Sequence, residues 1–260
     1  MKALIAGKNG TLGKVLTKTL GAKGYTVEGW DRSRIPIDDY ARMESFVREA
    51  APDIFYHLAI LSAPTGLPNE GWKVNYEWPS ETAWICRTLG IRFVFTSSVM
   101  VFTNNARGPF TPESIPDETG GYGYEKRMAE ERVRSQCPES IIARLGWQIG
   151  DAPGSNNMID YFDKQTSAYG EVRASRKWYP ACSFLEDTAK ALAEIAVLPP
   201  GLYQIDSNKK WNFYEIARGL SKLHGGKWKI VPTDDFVYDQ RMTDSRIEIP
   251  ALDTRIPGLK

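Results

Sequence analysis

The segment Gly7-Lys8-Asn9-Gly10-Thr11-Leu12-Gly13 constrains this chain more than any other. It follows the short apolar run 2–6, and beyond it Leu12, Val15, Leu16 and Leu20 recur at three- and four-residue steps. A strand, a glycine turn and an amphipathic helix over 11–22 are predicted in that order. Glycine permits a tight turn and close backbone approach, and the helix N-terminus presents free N–H groups and a positive dipole end. That context suits the pyrophosphate of a dinucleotide, with Gly7, Asn9, Gly10, Thr11, Leu12 and Gly13 as the expected cradle. An ordinary strand–turn–helix junction is the plainer reading of the same glycines.

The alternation continues downstream. Strands are predicted at 25–30, 53–59, 92–96 and 140–145. Between them, Tyr40, Met43, Phe46 and Val47 line one helical face behind a cap at Asp38 or Asp39, a helix follows near 80–89, and a charged helix covers 122–136. Strands alternating with helices imply parallel pairing through right-handed crossovers, with helices on both sheet faces. The fold class is α/β, a doubly wound parallel Rossmann sheet over residues 1–150. After Gly150 the rhythm loosens into a helix at 186–198, a strand at 202–205, a helix at 213–224 and an irregular tail with Pro232, Pro250 and Pro257. A smaller substrate-binding lobe is expected over 151–260, with part of 180–205 returning to the core.

Charge narrows the partners. The 260 residues carry 33 Lys+Arg against 32 Asp+Glu, a formal net charge of +1, which leaves no electrostatic footprint for nucleic acid or an anionic membrane. Apolar residues at 42% and charged residues at 25% argue against disorder. No apolar run approaches the roughly 20 residues of a membrane helix, and the N-terminal run is short for a signal peptide. Cys86, Cys137 and Cys182 are scattered, odd in number and without metal spacing. A reducing cytoplasm with no disulfide framework and no metal site is expected.

The strand at 25–30 ends in Trp30-Asp31-Arg32. An acid there accepts a ribose 2′-OH, whereas an arginine neutralises a 2′-phosphate. Asp31 argues for NAD and Arg32 and Arg34 for NADP, or the arginines are solvated loop charge, so either cofactor remains open. Tyr122 and Lys126 lie four apart at the start of a helix and share a face. A phenol titrating near 10 is a poor acid or base at neutral pH, and a neighbouring ammonium is expected to lower its pKa. Tyr124 has Met128 at that spacing and does not compete. Thr96-Ser97-Ser98 closes the preceding strand, where a doubly wound sheet places its ligand groups.

In this order the glycine loop, the strand-end serine and Tyr-x-x-x-Lys resemble the extended short-chain dehydrogenase/reductase family. Finer motifs resemble its dTDP-4-dehydrorhamnose reductase branch: Val74-Asn75, Val101-Phe102, Pro109-Phe110-Thr111-Pro112-Glu113 and Tyr122-Gly123-x-x-Lys126. Ala143-Arg144-Leu145-Gly146-Trp147, Phe184-Leu185-Glu186-Asp187, Gly201-Leu202-Tyr203-Gln204 and Ala251-Leu252-Asp253-Thr254 continue the match, which is weak at 61–72 and 150–180. The resemblance implies that Ser98 is the catalytic hydroxyl, Tyr122 the proton donor, and Lys126 both its tuner and a ligand of the nicotinamide ribose. Ala59 would line the cofactor cleft, and Ser98, Met100, Tyr122, Trp147 and Asn157 would face the substrate. Trp147 either stacks on a sugar or sits in the core, Asn156 and Asn157 either contact a nucleotide or cap a helix, and His57 is a strand-end structural residue. The chain departs from the family at Pro36 and at Ser98-Val99-Met100, where the family often has Thr-Asp-Tyr.

Those departures sort the chemistry. Dehydration needs an acid and a base where Val99 and Met100 stand. Epimerisation next to a ketone needs a ring-proton base, yet His57 and His224 are the chain's two histidines and neither lies in a matching motif. Reduction of a 4-keto-6-deoxy nucleotide sugar by NAD(P)H needs only Ser98, Tyr122 and Lys126. A 4-epimerase and a catalytically silent, cofactor-binding regulatory subunit stand as alternatives. The resemblance implies that a homodimer would use the helices near 80–89 and 122–136, where Trp78, Trp84 and Ile85 either meet a partner or pack on the sheet.

Overall fold

The computed structural model describes residues 1–62, 64–152 and 156–259. Its first half runs β1 (Lys2–Ala6), α1 (Thr11–Ala22), β2 (Thr26–Gly29), α2 (Tyr40–Ala50), β3 (Ile54–His57), α3 (Glu70–Trp72), a π-helical turn (Lys73–Glu77), α4 (Trp78–Leu89), β4 (Arg92–Ser98), a 3-10 turn (Val99–Val101), α5 (Gly121–Gln136) and β5 (Ile141–Leu145). The second half runs β6 (Trp147–Ile149), α6 (Met158–Tyr169), β7 (Val172–Ser175), β8 (Trp178–Tyr179), β9 (Cys182–Phe184), α7 (Leu185–Ile195), β10 (Gly201–Ile205), α8 (Phe213–Leu223), β11 (Ile230–Thr233), β12 (Tyr238–Asp239) and α9 (Leu252–Arg255).

Six strands form one parallel sheet in the order β10-β5-β4-β3-β1-β2. The chain reverses across the sheet between β2 and β3, so β1 and β3 flank the switch point. In such a sheet, ligands bind beyond the carboxyl ends of the strands at that point. The fold is the expected doubly wound α/β class. Strand residues do alternate between faces, but both phases are apolar. Leu4, Ala6, Phe55, Phe93 and Phe95 face Met43 and Val47 of α2, Trp78 and Ile85 of α4, and Ala129 and Val133 of α5. Ala3, Ile5, Ile54, Tyr56 and Val94 face Leu16 and Leu20 of α1 and Ala189 and Leu192 of α7. Each such Val, Leu, Ile, Phe or Met side chain contributes roughly 1.5–3 kcal/mol by leaving water. Trp78 and Ile85 are therefore sheet-packing residues, while Trp84 remains exposed.

Asp39, not Asp38, caps α2, its side chain accepting from Arg42 N at 3.0 Å. β10 adds to the sheet edge alongside β5, and α7 packs beside α1. The remaining C-terminal residues build three two-stranded parallel pairs, β6 with β9, β7 with β11 and β8 with β12. Their core, including Ile149, Met158, Phe162, Phe213 and Trp228, is closed by α6, α8 and α9. Among the described residues no helix is long and apolar enough to cross a membrane.

Candidate active site

The three loop glycines have different causes. Gly7 has φ +85, and a Cβ there would meet Ala59 N at 3.0 Å. It thus joins the turn after β1 to the segment after β3, at the switch point. Gly10 is the N-cap of α1 and brings no capping side chain, so the first-turn N–H groups are left for an anion. A Cβ on Gly13 would collide with the carbonyl oxygens of Gly7 and Lys8. Asn9 and Gly10 are exposed, Thr11 and Leu12 half-buried, and Ala59 is buried beneath them. This is a cradle that side chains would fill, and it fits a pyrophosphate.

At the end of β2, Asp31 accepts from Ser33 N at 2.9 Å and Ser33 Oγ at 2.7 Å, bonds that hold its carboxyl below the usual range. Arg32 pairs at 2.8 Å with Glu70, a buried acid that also accepts from Thr65 N and Thr65 Oγ1. Arg32, expected as a reader of 2′-phosphate, thus already has a counter-ion.

Ser98 ends β4, and its Oγ accepts from Met100 N at 3.1 Å. Tyr122 stands in the first turn of α5, where the Ser98 hydroxyl acts on its phenol. One turn later Lys126 is fully buried, its Nζ donating to Thr96 O at 3.0 Å. The same Nζ lies 4.5 Å over the Phe95 ring and 5.9 Å from the Tyr122 ring centroid. The structure thus brings Ser98, Tyr122 and Lys126 together at the carboxyl end of β4. Gly123 makes this possible: α5 approaches the 3-10 turn so closely that a Cβ there would collide with Met100 O.

The electrostatics correct one expectation. Burial raises the Tyr122 phenol, the hydrogen bond from Ser98 opposes that rise, and the charge of Glu125 adds to it. Desolvation dominates, so the phenol is raised rather than lowered as expected. Lys126 is itself pushed from 10.5 down to about 7 by burial, against the carboxylates of Glu130 and Glu125. His57 sits buried against Trp78, ring centroids 4.7 Å apart, and burial drives it well below its usual range, so it is a neutral core residue.

On the substrate side, Met100 is half exposed on the 3-10 turn. Trp147 is half-buried, stacked on Trp178 at 5.9 Å and edge-on to Tyr161 at 5.2 Å, so it closes one side of an aromatic cluster. Asn157 takes the helix-capping role, one of its two expected readings. It is the buried N-cap of α6, its oxygen accepting from Ile159 N and Asp160 N and its amide donating to Ala152 O at 3.2 Å.

Sequence reasoning missed several neighbours. Glu130 and Arg144 form a buried two-point ion pair at 2.8 and 2.7 Å one turn beyond Lys126. The i,i+4 spacing of Lys126 and Glu130 carried that signal. Glu125, inside the Tyr-x-x-x-Lys motif, accepts from Asn75 Nδ2 at 2.8 Å. Nothing in the sequence pairs those two residues across 50 positions.

The RmlD substrate binding domain family model matches residues 1–240. Among relatives, the spore coat polysaccharide biosynthesis protein SpsK of Bacillus subtilis (strain 168) is 25% identical over 227 residues, 86% of this chain and 80% of that protein. A dTDP-4-dehydrorhamnose reductase of Streptomyces griseus is 30% identical over 157 residues, 59% of this chain and 51% of that protein, so the match spans about half its length. Among solved structures, a dTDP-4-dehydrorhamnose reductase from Bacillus anthracis str. Ames in complex with NADP has a TM-score of 0.85 at 18% identity, covering 99% of this chain and 96% of the other. A UDP-glucose 4-epimerase from Thermotoga maritima has a TM-score of 0.77 at 17% identity, covering 95% and 91%. Reductases and an epimerase share this fold.

Proposed function

The chain belongs to the RmlD substrate binding domain family, and on that premise we propose that it reduces a 4-keto-6-deoxy nucleotide sugar with NADH or NADPH. The observation that carries this reading is that Ser98, Tyr122 and Lys126 meet at the carboxyl end of β4, on the same edge of the parallel sheet as the glycine loop that follows β1. The names of the reductase relatives support the same class.

When bound, the reduced nicotinamide supplies the hydride. The α1 N-terminus with Gly7, Gly10 and Gly13 would hold its pyrophosphate, Asp31 the adenosine ribose, and Lys126 the nicotinamide ribose. Ser98 Oγ, already oriented by Met100 N, donates to the substrate carbonyl oxygen. Tyr122 gives that oxygen its proton. A phenol raised by burial holds its proton at neutral pH, the state an acid needs before each turnover. Trp147 offers a ring edge to the sugar from the aromatic cluster.

Tyr122→Phe tests this assignment. It removes one hydroxyl and leaves the glycine cradle untouched, so turnover should fall roughly 10²–10⁴-fold with cofactor affinity nearly unchanged. Turnover close to the parent's would remove Tyr122 from the reaction.

A further inference from the structure

We infer that Glu70 biases the dinucleotide site toward NADH by holding Arg32 in an ion pair, which withholds the guanidinium from a 2′-phosphate. This rests on the nicotinamide cofactor of the proposed reading, not on its sugar substrate.

Arg32 follows the acid just past β2, the place where a doubly wound sheet reads the adenosine ribose. Its Nη2 lies 2.8 Å from Glu70 Oε1. Glu70 comes from the segment after β3, so the pair joins the two stretches of chain that leave the strands on either side of β1. The carboxylate is also fixed independently of Arg32. Its Oε1 accepts from Thr65 Oγ1 at 2.8 Å, and its Oε2 accepts from Thr65 N at 2.6 Å. The Glu70 side chain is 5% exposed and that of Arg32 31%. The acid is therefore built into the fold, and the cation is drawn to it.

Recruiting Arg32 to a phosphate would strand Glu70 as a buried charge without its cation. That state is costly, because the solvation Glu70 lost on folding is no longer offset by the pair. The other charges near the strand end favour the same outcome. Lys8 lays its stem over Gly29, where a Cβ would meet Lys8 Cδ at 2.6 Å, and donates from Nζ to Val27 O at 3.1 Å, back along β2 from the strand end. Arg34 is exposed in the following turn, a solvated charge whose attraction is screened. Asp31 presents a carboxylate whose two bonds from Ser33 both fall on Oδ1. A carboxylate there accepts from a ribose 2′-OH and repels a phosphate that carries close to two negative charges at neutral pH. Discrimination thus has two sources, the repulsion by Asp31 and the prior engagement of Arg32.

The experiment is calorimetric titration of the full chain with NADH and with NADPH at neutral pH, for the parent, Glu70→Gln, Arg32→Ala and the double variant. Glutamine keeps an oxygen for Thr65 and loses the charge. The parent should bind NADH more tightly than NADPH. Glu70→Gln should tighten NADPH relative to NADH by roughly tenfold, the worth of one charge-assisted contact, and the gain should vanish when Arg32→Ala is added. A parent that binds NADPH at least as tightly as NADH overturns the inference. So does an unmoved ratio in Glu70→Gln, the result expected of a merely structural acid, or a gain that survives in the double variant. If Glu70→Gln does not fold, Arg32→Ala decides alone. A ratio of the two affinities within about threefold of the parent's upholds the withdrawal of Arg32, and a larger selective loss of NADPH contradicts it. Binding of neither cofactor contradicts the inference together with the dinucleotide site itself. The expected ratios in a protein that reduces no sugar sustain the role of Glu70 and sink the reductase reading.

Discussion

Lys126 is a cation placed where burial resists one. Its folded pKa of about 7 lies below the ordinary 10.5. The native state therefore binds fewer protons than the unfolded chain between those values, and stability rises with pH across that window. The penalty is complete below about pH 7. Lys126→Met removes it, so this variant should gain more stability over the parent near pH 6 than near pH 10, by more than about 1 kcal/mol. It should also weaken cofactor binding, unlike Tyr122→Phe, if the ammonium serves the ribose. Thermal melts at the two pH values and cofactor titrations check both halves; a gain that does not vary with pH would show that the amine is not desolvated. At this scale the sequence revealed which residues meet but not their charge. Tyr122 and Lys126 were legible from their spacing, whereas the direction of the Tyr122 shift depends on burial, which spacing does not encode. Asn157 stayed open between cap and ligand contact because a capping amide and a ligand-binding amide look the same in one dimension.

Among the elements, the glycines of α1 separate a packing demand from a propensity cost. A Cβ at Gly13 meets backbone carbonyls that cannot move aside, whereas at Gly21, in the same helix, it meets nothing within 4 Å. Gly13→Ala should cost about 2 kcal/mol or more and weaken cofactor binding, while Gly21→Ala should stabilise by about 0.5–1 kcal/mol. Urea denaturation distinguishes them, and equal effects would mean that α1 does not press on the glycine loop. The loop pattern was readable because strand, turn and helix adjoin in sequence. The demands on Gly123 and Gly146, which face Met100 O and Ala181 O, were not, since each involves a chain segment far from the glycine.

Across the whole molecule, one buried acid joins the C-terminal segments to the sheet. Asp206, just past β10, accepts from Cys182 N at 2.9 Å, Asn208 N at 2.8 Å and Met242 N at 2.8 Å. Tyr238 adds a bond from its hydroxyl to Phe102 O at 2.6 Å. Asp206→Asn removes the charge and turns an N–H group toward these donors. A loss of about 2–3 kcal/mol is expected in chemical denaturation, and a change under about 0.5 kcal/mol would contradict this role. The sheet was legible because each strand is followed by a helix with a clear period. Beyond Gly150 the helices at 186–198 and 213–224 and the strand at 202–205 were legible, whereas β8 and β12 were not, because they have two residues each and no period to detect.

The central claim is that Ser98, Tyr122 and Lys126 carry out a reduction that consumes cofactor, and its most direct test is stoichiometry. Purified protein is incubated with NADH or NADPH and a dTDP-linked 4-keto-6-deoxy sugar, and oxidised cofactor is counted against reduced sugar. One cofactor oxidised per sugar, with cofactor exchanging freely between turnovers, is the predicted result. Inversion of a sugar without added reductant, by protein isolated with tightly held NAD, would instead make it an epimerase, and binding of cofactor with no turnover would make it a silent subunit.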